Sequence, residues 1–138
     1  MKVLKLLFFA CIAILLYTTC KKSSIGNPVA DKLAGKWKNT YFIADANGNH
    51  IRDTHDAIDT INSPYITEYY PNGTGAYLLN GVSAGTFTWQ LLDNNTYLKV
   101  STTGSGSVTQ HIDSLTATIM VLKDTTGISY AWQIFAKQ

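Results

Sequence analysis

The residues whose types and spacing point most directly to chemistry lie in Asp45-Ala-Asn-Gly-Asn-His-Ile-Arg-Asp-Thr-His-Asp56. Counted from Asp45, oxygen-bearing side chains occupy positions 1, 3, 5, 9 and 12: Asp45, Asn47, Asn49, Asp53 and Asp56. A calcium ion takes about six to eight hard oxygens around one point, and a tight loop turns alternate side chains inward. The backbone carbonyl of Ile51, at position 7, completes the set. Two departures weaken the pattern: His50 stands where a sharp turn favours glycine, although His tolerates positive φ better than most residues, and Asn47 and Asn49 are neutral amides. The alternative is a solvated polar loop in which Asn and Gly serve only to turn the chain.

The same spacing resembles the Asp-x-Asp-Gly-Asp-Gly-x-x-Asp-x-x-Asp loops of thrombospondin-type calcium repeats, and an EF-hand loop without its helices. Calcium is the one cofactor expected, and no organic cofactor is. His50 and His55 are five apart, which is not the four-residue helical spacing of a zinc pair, and no cysteine supports them. They read as solvent-exposed. His111 and Asp113 share a strand face and read as a solvated pair, while Glu68 reads as an outward charge. There is no nucleophile elbow, phosphate loop, Cys-x-x-Cys or His-Glu-x-x-His. The expectation is a non-enzymatic protein with no catalytic residues.

The N-terminus has its own grammar. Met1 to Lys5 is basic, and Leu6 to Leu16 is an apolar run of signal-peptide length, short for a membrane span. It runs into Tyr17-Thr-Thr-Cys20, which resembles a bacterial lipobox, with Tyr17 departing from the usual Leu or Val. The resemblance implies cleavage before Cys20 and lipidation of that thiol. Cys11 would leave with the leader, so the mature chain would hold one cysteine and no internal disulfide. Acyl chains contribute about 0.8 kcal/mol per buried methylene, and more than one gives stable anchoring. Lys21 in place of Asp favours the outer membrane by resemblance to the sorting rule, and the lack of an acidic cluster favours its periplasmic face. The domains read as a lipoprotein signal peptide over 1–19, a lipidated cysteine and tether over 20–29, and one folded domain over 30–138.

The formal charge of +2 comes from Lys2 and Lys5, and without them nine basic side chains meet nine acidic ones. No basic stripe interleaved with aromatics is present, which argues against nucleic acid.

The elements that must position these groups are strands. Trp37, Tyr41 and Ile43 fall at alternate positions after Gly35, and aromatic and β-branched residues at period two fit a half-buried strand. Ala30–Ala34 reads as one helical turn capping a barrel mouth. Further strands are expected at 65–70, 74–79, 84–92, 96–102, 107–113, 115–122 and 128–136, turned at Pro71-Asn-Gly73, Asn80-Gly81, Asp93-Asn-Asn95, Thr103–Gly106 and Asp124–Gly127. That makes eight strands with short connections, and a closed meander leaves no free edge. Gly35-x-Trp37, Tyr69-Tyr-Pro-Asn-Gly-Thr-Gly75, Gly85-Thr-Phe-Thr-Trp89 and Leu115–Leu122 resemble the small lipocalin-like lipoproteins of Gram-negative bacteria. The resemblance implies an all-β, eight-stranded up-and-down antiparallel barrel after the lipoprotein signal, with Trp37 closing one end.

Tyr41, Tyr69, Tyr77, Tyr97 and Tyr130 are the expected ligand-binding residues, since aromatic walls with polar tips suit amphipathic molecules. The resulting expectation is a lipid-anchored envelope protein holding a small apolar or amphipathic ligand. The alternative is a filled barrel that serves as an interaction module for other envelope proteins.

Overall fold

The computed structural model describes residues 26–124 and 130–138. The expected leader, Cys20, most of the tether, and most of the turn and the start of the strand near 125–129 lie outside the described residues. Among the described residues one short helix, α1 (Pro28–Leu33), precedes nine strands. These are β1 (Gly35–Ala44), β2 (Ala57–Thr60), β3 (Tyr65–Tyr69), β4 (Thr74–Leu79), β5 (Val82–Leu92), β6 (Tyr97–Thr102), β7 (Gly106–Leu115), β8 (Ile119–Asp124) and β9 (Ala131–Lys137).

Every pairing is antiparallel, each strand from β3 to β8 pairs with the next, and β1 pairs with β9 to close the sheet. Strands β3 and β2 lie one after the other along the same edge of β1, on Gly35–Lys38 and Tyr41–Ala44 respectively. The wall therefore has eight positions, one of them shared by two short strands, in the up-and-down arrangement expected. The four-residue β2 was not expected: Ala-Ile-Asp-Thr is exposed throughout, and period two leaves no signature over so short a run. The expected strands 107–113 and 115–122 are corrected in their boundaries. The chain turns at 116–118, because Thr116 Oγ1 accepts the amides of Thr118 and Ile119 at 3.3 and 2.9 Å and draws the chain out of the ladder.

One end of the barrel is closed. Asn27 caps α1 by accepting the amides of Val29 and Ala30, and its own amide reaches Asn95 Oδ1 at 2.6 Å in the β5–β6 turn. Leu33 is fully buried against Trp37, whose indole N–H donates to the Leu33 carbonyl at 2.7 Å. Lys137 runs across this end, with its ammonium 5.1 Å from the Trp37 ring and 3.0 Å from the Lys32 carbonyl. Trp37, Tyr69, Phe87, Leu98, Met120, Leu122 and Phe135 continue the core, each such side chain contributing about 1.5–3 kcal/mol on burial.

Two glycines are steric requirements. Gly35 adopts φ 123°, outside the range of side-chain-bearing residues. Gly75 lies beneath the Phe87 ring, so a Cβ there would collide with that ring and with the Glu68 carbonyl. Gly75→Ala is therefore expected to destabilise the barrel by about 1–3 kcal/mol, the usual cost of overpacking. Chemical denaturation of the two proteins side by side measures it.

Candidate ligand-binding site

Register decides which side chains face inward. Trp37 and Asn39 point into the barrel, but β1 carries a bulge between Asn39 and Tyr41 that leaves Thr40 without a partner on β9. The alternation is then reset. Tyr41 and Ile43, opposite Ile134 and Trp132, share the outer face of the wall, while Phe42 faces Gln133. The sequence pattern that groups Trp37, Tyr41 and Ile43 on one face is corrected by this one inserted residue.

In the half of the barrel away from α1 the interior is a cup of about 430 Å3, within the usual range of small-molecule sites of roughly 300–1,000 Å3. Tyr69, Tyr77, Leu122 and Phe135 supply its apolar surface. Asn39, Thr67, Thr102, Gln110 and Gln133 supply amides and hydroxyls, and Ser63, Ser105 and Asp124 stand among the lining residues near the open mouth. Asn39 Oδ1 is shut off from solvent and has no hydrogen-bond partner. Such an atom costs about 1–3 kcal/mol if it stays unsatisfied, so a turn of the Asn39 side chain that brings the oxygen to the cup it lines would give a ligand an acceptor. A larger, shallower concavity of about 620 Å3 runs past Thr86, Thr88 and Ser101. Inward Phe87 and Thr102 also line it, and it lies where β5 before Thr88 has no partner on β6, apart from the cup.

Of the expected ligand-binding tyrosines, Tyr69 and Tyr77 line the cup, as does Tyr65. Tyr69 packs edge-on to Phe87 and Trp89 at 5.3 and 6.1 Å between ring centroids. Tyr41, Tyr97 and Tyr130 lie elsewhere. Tyr41 is turned out by the bulge and is 42% exposed. Tyr97, one residue out of phase with inward Leu98, meets the His111 ring at 5.2 Å on the outer face. Tyr130 is stacked 3.8 Å from the His50 ring. Glu68 alternates with the inward Thr67 and Tyr69 and so faces out, accepting the Tyr70 hydroxyl at 3.2 Å. Asn39, Gln110 and Gln133 were missed as site residues. Their signal was available as polar side chains sharing a strand face with apolar ones, such as Gln110 between Val108 and Ile112.

The 45–56 segment is a strap across the outside of β8 and β9. Beneath it Ile43, Val121 and Trp132 form a second buried cluster, with Trp132 only 1% exposed although it sits on the outer face. His50 holds φ 63°, its carbonyl accepts the Lys123 ammonium at 2.9 Å, and that ammonium lies 4.8 Å from the Tyr130 ring and 5.1 Å from the Trp132 ring. The strap's polar side chains bond to one another. Asp45 accepts the amides of Gly48 and His50, both at 2.8 Å, and Asn47 and Asn49 accept those of Asn49 and Ile51. Their side-chain amides donate to the Asp53 carboxylate at 3.2 and 2.7 Å. The His55 backbone N–H, followed by Asn49, holds the Asp53 carboxyl below the usual carboxylate range. Both histidines are exposed, His55 with Nδ1 3.3 Å from Asp53. Among the described residues no three His, Cys, Asp or Glu side chains gather about one point.

Burial, followed by the nearby Tyr77 hydroxyl, pushes the Tyr69 phenol well above the ordinary tyrosine value. A group whose pKa is raised on folding stabilises the fold below its unfolded pKa, near 10, and that stabilisation is lost as pH rises toward the folded value. Phenolate absorbance in an alkaline titration is therefore expected to show a late component that coincides with loss of the barrel's circular dichroism. Tyr69→Phe should remove that component.

Comparison with known proteins bears on the fold. No family model matches the chain, and no curated protein does. Among solved structures, the chain is similar to a crystal structure of a lipocalin-like protein from Bacteroides uniformis ATCC 8492, at 14% identity and a TM-score of 0.53, over 78% of this chain and 99% of that one. The fold is lipocalin-like.

Proposed function

We propose that the protein is a non-enzymatic binding protein that holds one small, neutral, amphipathic molecule in the open half of its barrel. The observation that carries the reading is the cup of about 430 Å3 with the orphan Asn39 acceptor in its lining. A fitting ligand lays an apolar part on Tyr69, Tyr77, Leu122 and Phe135 and turns a hydrogen-bond donor to Asn39, within reach of the Gln110 and Gln133 amides. The alternative of a filled barrel acting only as an interaction module for envelope proteins has less support, because the volume is open to solvent and its walls are mixed rather than close-packed.

The leader and Cys20 support placing this cup at a membrane. Cleavage before Cys20, acylation of its thiol and a tether ending at α1 would hold the closed end of the barrel near the bilayer, with the outer membrane's periplasmic face favoured by Lys21. Membrane attachment is then through lipid, independent of the cup.

Native mass spectrometry of protein purified from its own envelope is expected to show a retained small molecule on the folded chain. The neutral amine N-phenylnaphthylamine should bind the purified protein with enhanced fluorescence. Asn39→Leu, which keeps the volume and removes the acceptor, should weaken dye binding by about tenfold, the worth of roughly one buried hydrogen bond. A protein that carries no ligand and leaves the dye's fluorescence unchanged refutes the reading. For the anchor, Cys20→Ser is expected to abolish incorporation of labelled palmitate and to release the protein from the membrane fraction.

A further inference from the structure

The strap contains a feature that the cup does not use. Asp56, where the strap runs into β2, is 8% exposed, and it is the one charged side chain buried to that extent among the described residues. Its Oδ2 accepts the Asp53 amide at 2.8 Å, which sets the carboxylate against the loop, but its Oδ1 is shut off from solvent and has no hydrogen-bond partner. A buried carboxylate oxygen without a proton donor or a cation is costly. Among the described residues no Lys or Arg is paired with it: Lys123, which crosses to the strap, donates to the His50 carbonyl. The oxygen calls for a positive charge.

The other oxygens of the strap are those of a hard-cation loop. The carboxylates of Asp45 and Asp53, the amide oxygens of Asn47 and Asn49 and the carbonyl of Ile51 stand at positions 1, 9, 3, 5 and 7 of the loop that ends on Asp56 at position 12, and an ion would draw together three carboxylates that do not gather about one point without it. Their nitrogens now do the work of a cation: the amide groups of Asn47 and Asn49 both converge on Asp53. Each amide oxygen already accepts a backbone N–H, from Asn49 and from Ile51, and keeps a second lone pair for a cation drawn in beside Asp53. With Asp56 bidentate the set reaches about seven oxygens, within the calcium range and above magnesium's six. Three carboxylates with two neutral amides correspond to weak binding, of the order of 10⁻⁴–10⁻³ M as in extracellular modules.

We infer that the 45–56 strap is a calcium site built from Asp45, Asn47, Asn49, Ile51, Asp53 and Asp56, and that the bound ion fastens the strap over Trp132 and Tyr130. The site is separate from the cup and does not depend on what the cup holds.

The test is titration of the full chain with calcium chloride, read by calorimetry, by melting temperature and by amide hydrogen exchange. Calcium at about 10 mM is expected to saturate the site, raise the melting temperature by mass action and slow exchange within 45–56. Asp53→Asn should weaken calcium binding at least tenfold, with the calcium response of the variant read against its own calcium-free melting temperature, since this half-buried carboxylate also holds Asn47, Asn49 and His55. Asp56→Asn should abolish the response, and if that variant does not fold, Asp45→Asn takes its place with the same expectation as Asp53→Asn. No heat and no shift in melting temperature at 10 mM calcium overturns the proposal, as does a full response in Asp53→Asn. An equal response to magnesium overturns the assignment to calcium.

Discussion

Thr40 is the residue on which the two faces of the molecule are balanced. It is the extra residue of the β1 bulge, and it makes up for its missing ladder partner in two directions. Its hydroxyl donates to the Ile134 carbonyl on β9 at 3.0 Å, and its own carbonyl accepts the Ile61 amide at 2.8 Å in the gap between β2 and β3. Closure of the barrel thus runs through β1, which pairs with β9 on one edge and with two successive strands on the other. Before the bulge the odd-numbered Trp37 and Asn39 face the interior, and after it the odd-numbered Tyr41 and Ile43 face the outside.

That reversal explains why the chain has two apolar clusters. Trp37 and its neighbours pack the closed half of the barrel, whereas Ile43, Val121 and Trp132 lie on the outer wall. Apolar side chains on an outer wall must be covered or else form an exposed patch. The long connection from β1 to β2 supplies the cover through the His50 ring on Tyr130 and the Lys123 bond to the His50 carbonyl. This makes the length of the connection intelligible: a tight hairpin after Ala44 would leave Trp132 uncovered. It also joins the chemistry of the polar loop to the stability of the wall, because whatever rigidifies the strap protects the cluster beneath it.

Much of this architecture was legible in the sequence, and what was legible had local causes. Asn80-Gly81 turns a hairpin with φ 52° and 82°, and Asp93, Asn94 and Asn95 all take positive φ in the next turn, conformations those residues enter at low cost. Gly35-x-Trp37 marked the closed end. Strand β2 and the Thr40 bulge were illegible for the opposite reason. Thr is a good strand former, so the period-two pattern runs unbroken across the bulge, and only pairing with β9 reveals the extra residue. The misplaced tyrosines follow from this. Periodicity says which residues share a face, and it does not say which face is inside. Tyr97 and Leu98 are both plausible wall residues until the register with Gln110 and His111 is known, and Tyr41 and Tyr130 needed the bulge and the strap.

The interior itself is divided by residue type along its axis. Toward α1 the inward positions carry Trp37, Trp89, Leu91, Leu98 and Met120, and Trp89 satisfies its indole N–H on the Tyr70 and Thr74 carbonyls at 3.1 and 2.8 Å. Toward the mouth they carry Thr67, Thr102, Gln110 and Gln133 beside Val100, Val108 and the rings of Tyr65 and Tyr77. A barrel of eight strands is just wide enough for large side chains to fill, so the filled half is what this wall makes by default. The other half departs from that default in two ways at once, in volume and in polarity. A dry core rejects amides, because each unsatisfied one costs about 1–3 kcal/mol. A stability requirement alone would therefore have placed leucine or phenylalanine at these positions. Small and polar residues there are consistent with an interior that is wet or occupied, and the orphan acceptor of Asn39 marks where an occupant gains most.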